Sequence, residues 1–263
     1  MDEILTSQFD RLIAGLHTLE AARAIALGER TFDWAALEQS GFLELLVAED
    51  AGGAGLELVD CAPLALILGR RAIAAPVLET MVARAIETRA GRTPPTGPVR
   101  LGDLGQEPRL VRLGALCLAG QMAGAMAAVL DLTVSYAKER SQFGRPISGF
   151  QAIQHQISVL AEEAAAAEAA SLLAFAHPLD SITDEIVAVA KVTAGEAAAT
   201  VAAIAHAVHG AIGISHEHNL HLFTSRLHTW RLEYGSAAYW AGRLGAEFLG
   251  QEQSPLDFAR SVA

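Results

Sequence analysis

Two stretches of this chain carry no formal charge over a length close to that of a membrane span: Leu113–Leu130 and Ala197–His216. An apolar span needs roughly 20 residues. The makeup of both stretches points elsewhere. Ala and Gly dominate rather than Leu, and the second contains His206, His209 and Gly210. Helices that are apolar all round belong to the interior of a bundle. Both segments therefore read as helices buried on all sides within a soluble protein, with no membrane insertion.

The rest of the pattern agrees with packed helices. Hydrophobic residues make up 52% of the chain but aromatics only 6%, an Ala/Leu composition that suits helices better than a β-sandwich. Asp33 is a plausible N-cap for a helix through Trp34-Ala35-Ala36-Leu37-Glu38, with Gly41 as its stop. A glycine loop, Glu49-Asp50-Ala51-Gly52-Gly53-Ala54-Gly55, reverses the chain. Further helical patterns cover about Val59–Arg71 and Leu78–Glu87. Residues 88–110 differ in kind. Four of the nine prolines (Pro94, Pro95, Pro98, Pro108) lie there among Gly91, Gly97, Gly102 and Gly105, the composition of a linker. Beyond it, four long helices are predicted: Leu113–Lys138, one built on Ile153, Ile157, Leu160, Ala164 and Ala167, Glu185–His209, and roughly Asn219–Phe248. Long helices with short connections form antiparallel bundles.

Charge and cysteine content exclude several classes of function. A net charge of −11 argues against nucleic-acid partners and against adhesion to an acidic membrane face. With 52% hydrophobic and 19% charged residues the chain is not disordered. Cys61 and Cys117 sit in apolar stretches with no C-x-x-C spacing, as buried thiols of a reducing cytoplasm would. The amphipathic, acidic N-terminus MDEILTSQFDRL does not read as a signal peptide.

Three places hold candidate chemistry. His206, His209, His216, His218, His221 and His228 crowd together, but no HExxH pattern and no ligand-spaced Cys or second carboxylate accompanies them, so no metal is expected. The segment Lys138-Glu139-Arg140-Ser141-Gln142-Phe143-Gly144-Arg145-Pro146-Ile147 places a cation, an amide and an aromatic face on one turn. That set suits a phosphate and a stacked purine, or a plain surface turn. Glu233 is the acid of a late apolar helix, a weak candidate base or one half of an ion pair.

The middle segment, continued through Phe150-Gln151, resembles the ERxQFGxPIxxFQ motif of the acyl-CoA dehydrogenase family. Val208-His209-Gly210-Ala211-Ile212-Gly213, running on through Glu217-His218-Asn219-Leu220-His221-Leu222, resembles that family's QVHGGxG-x-x-x-EH-x-LH segment. Trp34–Leu37 and the glycine loop resemble its N-terminal helical domain. The resemblance covers most of the chain. It implies an N-terminal helical domain, a middle β-domain, a C-terminal four-helix bundle, FAD and an acyl-CoA substrate. In the family a glutamate removes the α-proton of the thioester while the β-hydrogen leaves as hydride to the flavin.

The sequence departs from that pattern in three ways. The β-domain is missing, and only residues 88–110 stand in its place. The glutamate position falls on Tyr234, with Glu233 one residue early, a rotation of about 100° on a helix; the alternative base position falls near Gly114. The second glycine of the HGG segment is Ala211. The expected organisation is thus all-α: an N-terminal helical domain (1–87), a linker (88–110) and an antiparallel four-helix bundle (111–263). The turn motif is kept, and in the family it grips the ADP half of an FAD held by the neighbouring subunit. By that resemblance Arg140, Gln142, Phe143, Ile147, Phe150, Gln151, Gly210 and Ala211 are the expected FAD contacts. Tyr234 and Glu233 remain weak catalytic candidates.

The expected role is a cytoplasmic subunit of a heteromeric acyl-CoA dehydrogenase of α2β2 type, acting on a CoA thioester such as a steroid-derived one. Its partner would be a full-length family member, with an electron-transfer flavoprotein or similar acceptor. The alternatives are a self-sufficient flavoenzyme using Glu233 or Tyr234, and a helical scaffold or regulatory protein without flavin.

Overall fold

The computed structural model describes residues 3–215, 217–251 and 254–262. The N-terminal part holds α1 (Glu3–Leu16), α2 (Leu19–Ala26), α3 (Trp34–Glu38), α4 (Ala62–Arg70) and α5 (Val77–Arg89). A short turn of helix, α6 (Leu101–Leu104), leads into α7 (Pro108–Glu139). After a two-stranded hairpin, β1 (Ser141–Gln142) and β2 (Arg145–Pro146), come α8 (Gln151–Phe175), α9 (Asp184–His209), α10 (Leu220–Trp230), α11 (Ala237–Leu249) and α12 (Pro255–Val262). The architecture is all-α, and among the described residues the hairpin is the only sheet.

Local signals operate as the sequence suggests. Asp33 caps α3 by accepting from the Ala36 N–H at 3.2 Å, and Gly41 follows with φ +78°. Gly53 turns the glycine loop against its own chain: a Cβ there would lie 2.1 Å from the Val47 carbonyl oxygen. That loop is a packed reversal. Arg84, 5% exposed, donates to both Glu38 and Glu44 and so fastens α5 to α3 and the turn after it.

α7, α8 and α9 pack on one another, and α10 and α11 share the fourth position against α9. α4 lies along α7. The two backbones touch because glycines face them. A Cβ on Gly69 would lie 2.0 Å from the Gln121 carbonyl oxygen, and one on Gly124 would lie 2.1 Å from that of Leu66. Buried apolar residues from Phe9 to Trp240 form one contiguous core across both halves. Cys61 and Cys117 are free and buried within it; burial pushes the Cys61 thiol up to about 12.

Three expectations need correction. The single helix over 219–248 is two helices. Between them Tyr234 and Gly235 take φ +54° and +98°, and Ser236 restarts the helix by accepting from the Tyr239 N–H. The uncharged window in α7 is 89% buried, but the corresponding window beginning in α9 is only 44% buried. Glu196, Ala203 and Ala207 form an exposed face there, which Ala tolerates because it presents little apolar surface. The segment 88–110 is not a free tether throughout. Leu101 is fully buried, and Thr80 Oγ1 accepts from the Val99 N–H at 3.0 Å.

The α4–α7 crossing yields a direct test. Gly124→Ala forces a methyl into the Leu66 carbonyl and should cost at least about 1–3 kcal/mol. Gly242→Ala, in an exposed part of α11 with open space around it, should gain up to about 1 kcal/mol from helix propensity. Chemical denaturation of the two variants checks the sign and the contrast.

Candidate cofactor site

α7 ends at Glu139, and the Arg140 N–H still donates to the Tyr136 carbonyl at 2.9 Å. The chain then makes a tight hairpin, pairing Ser141 with Pro146 and Gln142 with Arg145. Phe143 and Gly144 form its two-residue loop with φ +52° and +79°, the left-handed pair that matches strand twist. The Ile147 N–H closes the hairpin base on the Arg140 carbonyl at 2.8 Å, and Ile147 is buried. Phe143 is left 92% exposed, edge-on to Phe150 at 6.2 Å. The Arg145 guanidinium lies over the other aromatic face available, 4.1 Å from the Phe150 ring centroid.

The end of α9 faces this hairpin. Gly210 has φ +63° and ψ −144°, a backbone region essentially restricted to glycine. Ala211 lies in the next turn without a positive φ and is exposed, so the backbone accommodates its methyl where the motif has a second glycine. Together the two elements line a cleft of about 680 Å³. Arg140, Gln142, Phe143, Ile147, Phe150, Gly210 and Ala211 all border it. Gln151 does not; it is exposed on the first turn of α8.

Tyr136 borders the cleft without having been singled out from the sequence, and His209, read there as one of a histidine cluster and part of the second motif, borders it as well. Tyr136 lies one helical turn before Arg140, so the i, i+4 spacing could have pointed to it. His209 stacks on Tyr136 at 4.5 Å, with the rings 22° apart, and its Nδ1 meets the Ala205 carbonyl at 2.8 Å. Burial holds the His209 imidazole below its ordinary range, so it is neutral near pH 7. His218 packs on His209 at 4.6 Å. His216 lies outside the described residues, and among those that are described no group of His, Cys, Asp or Glu gathers at metal-ligand distance.

The catalytic candidates lie elsewhere, at the α10–α11 turn. Glu233 accepts from Arg100 at 2.7 Å. The Tyr234 hydroxyl donates to Glu79, and burial together with that carboxylate raises the phenol far above its ordinary range. Behind the turn, buried Lys191 of α9 donates to the Trp230 carbonyl at the end of α10, and burial pulls its ammonium down to about 7. These contacts tie up both candidates within the fold.

Residues 110–246 match the model for the acyl-CoA dehydrogenase C-terminal domain. The chain is 30% identical to the acyl-CoA dehydrogenase IpdE2 of Mycobacterium tuberculosis, over 79% of this chain and 85% of that protein. This chain belongs to the acyl-CoA dehydrogenase family. Its members are FAD-dependent oxidoreductases. IpdE2 of Mycolicibacterium smegmatis is 29% identical over 86% of this chain and 92% of its own length. In fold, the chain superposes on a chain of the ChsE4–ChsE5 complex of M. tuberculosis with a TM-score of 0.80 at 19% identity, covering 96% of this chain and 99% of that one. It superposes equally well, at 21% identity, on the steroid acyl-CoA dehydrogenase Tcur3481–Tcur3483, covering 94% and 98%.

The cleft fits one half of FAD. Arg140 makes no side-chain hydrogen bond or ion pair among the described residues, so its guanidinium is available to a phosphate. The exposed face of Phe143 and the open backbone at Gly210 suit an adenine and a close-lying pyrophosphate. Gly210→Ala should cost about 1–3 kcal/mol through backbone strain alone. Thermal denaturation of the isolated chain reads that loss without cofactor.

Proposed function

We propose that this chain is the reduced subunit of a heteromeric FAD-dependent acyl-CoA dehydrogenase, in which a full-length partner supplies the flavin-ring pocket and the catalytic base. The observation carrying this reading is the split between the two sites. The cleft at the hairpin offers an unpaired cation, an exposed aromatic face and a glycine backbone. The positions where the family carries its base hold Tyr234 and Gly114, and Glu233 is paired with Arg100. The superposition on one chain of a two-component complex supports the same assignment.

In this reading a bound FAD would supply the hydride acceptor for the β-hydrogen of a CoA thioester. The work of this chain is binding and orientation. Arg140 donates charge-assisted hydrogen bonds to the pyrophosphate. Gln142 adds an amide contact and Phe143 packs on the adenine end, while Gln151, outside the cleft on the first turn of α8, would reach the cofactor only where it extends beyond the cleft. Ile147 and Phe150 hold the hairpin at its angle. The Tyr136–His209 stack fixes the end of α9 so that the Gly210 backbone stays open to the cofactor. The base on the partner removes the α-proton. The three-part organisation (1–87, 88–110, 111–263) then gives a helical half, a connector that replaces the β-domain, and a bundle that meets the partner in an α2β2 assembly. A steroid-derived thioester is the substrate class that the name of Tcur3481–Tcur3483 suggests, with an electron-transfer flavoprotein as acceptor and the cytoplasm as location.

An absorbance spectrum separates this reading from its rivals. The chain purified alone should lack flavin bands, and the complex with its full-length partner should show them. Arg140→Ala should lower the affinity of the complex for FAD by about 10- to 100-fold, the worth of one charge-assisted contact at 1.5–3 kcal/mol. Flavin and turnover in the isolated chain would establish the self-sufficient enzyme. Flavin content unchanged by Arg140→Ala would favour the scaffold.

A further inference from the structure

Away from the cofactor cleft, α1, α2, α4, α7 and α10 meet around a second opening of about 260 Å³. His17, the residue that follows α1, forms part of its wall, with Leu19, Arg70, Arg71, Asp131 and Phe223. His17 is 4% exposed, and neither ring nitrogen makes a hydrogen bond. Buried polar side chains are seldom left in that condition. The His17 N–H donates to the Ile13 carbonyl at 2.9 Å, and its ring lies against Phe32 at 6.0 Å, so packing fixes where the imidazole sits.

The donors around this histidine come from separate elements. Arg70 and Arg71 stand at the end of α4, where Ala72 turns the chain at φ +53° and returns its N–H to the Gly69 carbonyl at 2.9 Å. Arg71 uses Nε and Nη2 on Asp10, at 3.0 and 2.6 Å, and Arg70 uses Nη1 on Asp131 at 2.8 Å. A guanidinium carries five N–H donors, so each keeps donors beyond these pairs. α2 starts at Leu19 with Thr18 as its cap, and the positive end of that helix opens on the same cleft.

We propose that this cleft binds a phosphate group, free or as the monoester of a small alcohol, through the imidazole of His17 and the spare guanidinium donors of Arg70 and Arg71. A phosphate offers acceptor oxygens in several directions, which suits donors arriving from α1, α2 and α4. Near pH 6 about half of phosphate monoesters also keep one O–H. A neutral imidazole has one donor and one acceptor nitrogen, and a hydrogen phosphate can satisfy both. The electrostatics agree. Burial first, then the charges of Arg226, Arg30 and Arg71, pull the His17 imidazole down to about 4, and the Arg71 backbone acts the other way. His17 is therefore neutral at pH 6 to 7. Arginines from α10, from the α2–α3 connection and from α4 make the field at the imidazole positive, on a chain whose net charge is −11. The carboxylates of Asp10 on α1 and Asp131 on α7 are each engaged by an arginine, which leaves the cleft poorly suited to a cation.

Inorganic phosphate and glycerol 3-phosphate are the probes, each added to the full chain at pH 6 and constant ionic strength. At about ten times its dissociation constant, a bound phosphate should raise the melting temperature by about 3–6 °C. A rise with both probes supports a phosphate carried on a small alcohol, and a rise with inorganic phosphate alone supports the free ion. No rise with either, or an equal rise with sodium chloride, overturns the proposal. Sulfate, which lacks the O–H, should bind at least about fivefold more weakly, and equal binding overturns the assignment to phosphate. In calorimetric titration His17→Leu should weaken phosphate binding by about 10- to 100-fold, the worth of a hydrogen bond to a charged group. Without ligand its melting temperature should hold or rise, because an unpaired imidazole has left the interior. Unchanged phosphate affinity in His17→Leu overturns the proposal. If that variant does not fold, Arg70→Gln, altered at a half-exposed side chain, carries the test: its affinity should fall at least about fivefold, and an unchanged value overturns the proposal. These readouts involve neither flavin nor partner, so they stand or fall apart from the proposed function.

Discussion

The fold depends on α7 being small-sided. Gly69 and Gly124 bring the backbones of α4 and α7 into contact, and Gly120 meets Ala65 and the Phe175 ring, where a Cβ would lie 2.8 and 2.9 Å away. Side chains of ordinary size would hold these helices at the usual 8–10 Å separation. Because backbone meets backbone, α7 contacts α4, α8, α9 and α10 at once and carries the N-terminal half directly on the bundle. No β-domain is needed to join the two halves. One end of α7 presents Gly114 to Tyr234, and the other ends in the hairpin that lines the cofactor cleft.

Chemistry is distributed unevenly along this scaffold. Charges inside it are satisfied for structure: Arg84 spans two carboxylates, Lys191 meets the end of α10, and Glu79 takes a phenol and a backbone N–H. Arg140 makes no side-chain hydrogen bond or ion pair among the described residues and stands at an open cleft.

Much of the fold was legible in the sequence. The caps at Asp33 and Gly41, the bundle helices and the α9 stop at Gly210 follow from local rules that act over a few residues. The hairpin at 141–146 was legible as a motif and as a turn, but not as a strand pair, because two-residue strands carry no periodicity. The break at 231–236 was masked by continuing apolar spacing, although Gly235-Ser236 is a stop followed by an N-cap. The exposed face of α9 was invisible because alanine suits both interior and surface. The partnership of Tyr234 with Glu79 joins residues 155 apart in sequence, and no local signal reports a contact of that range. Arg140, Gln142, Phe143, Ile147 and Phe150 line one cleft, which Tyr136 joins from one helical turn upstream and His209 from the end of α9.

The hairpin tip has a consequence for how the chain is handled in a cell. Phe143 is an aromatic ring almost wholly in water, on a turn whose backbone is fixed and cannot fold it away. Exposed apolar rings of this kind are what chaperones and proteases sense on unassembled proteins. In the heteromeric reading proposed above, a copy without its partner would display that ring to solvent.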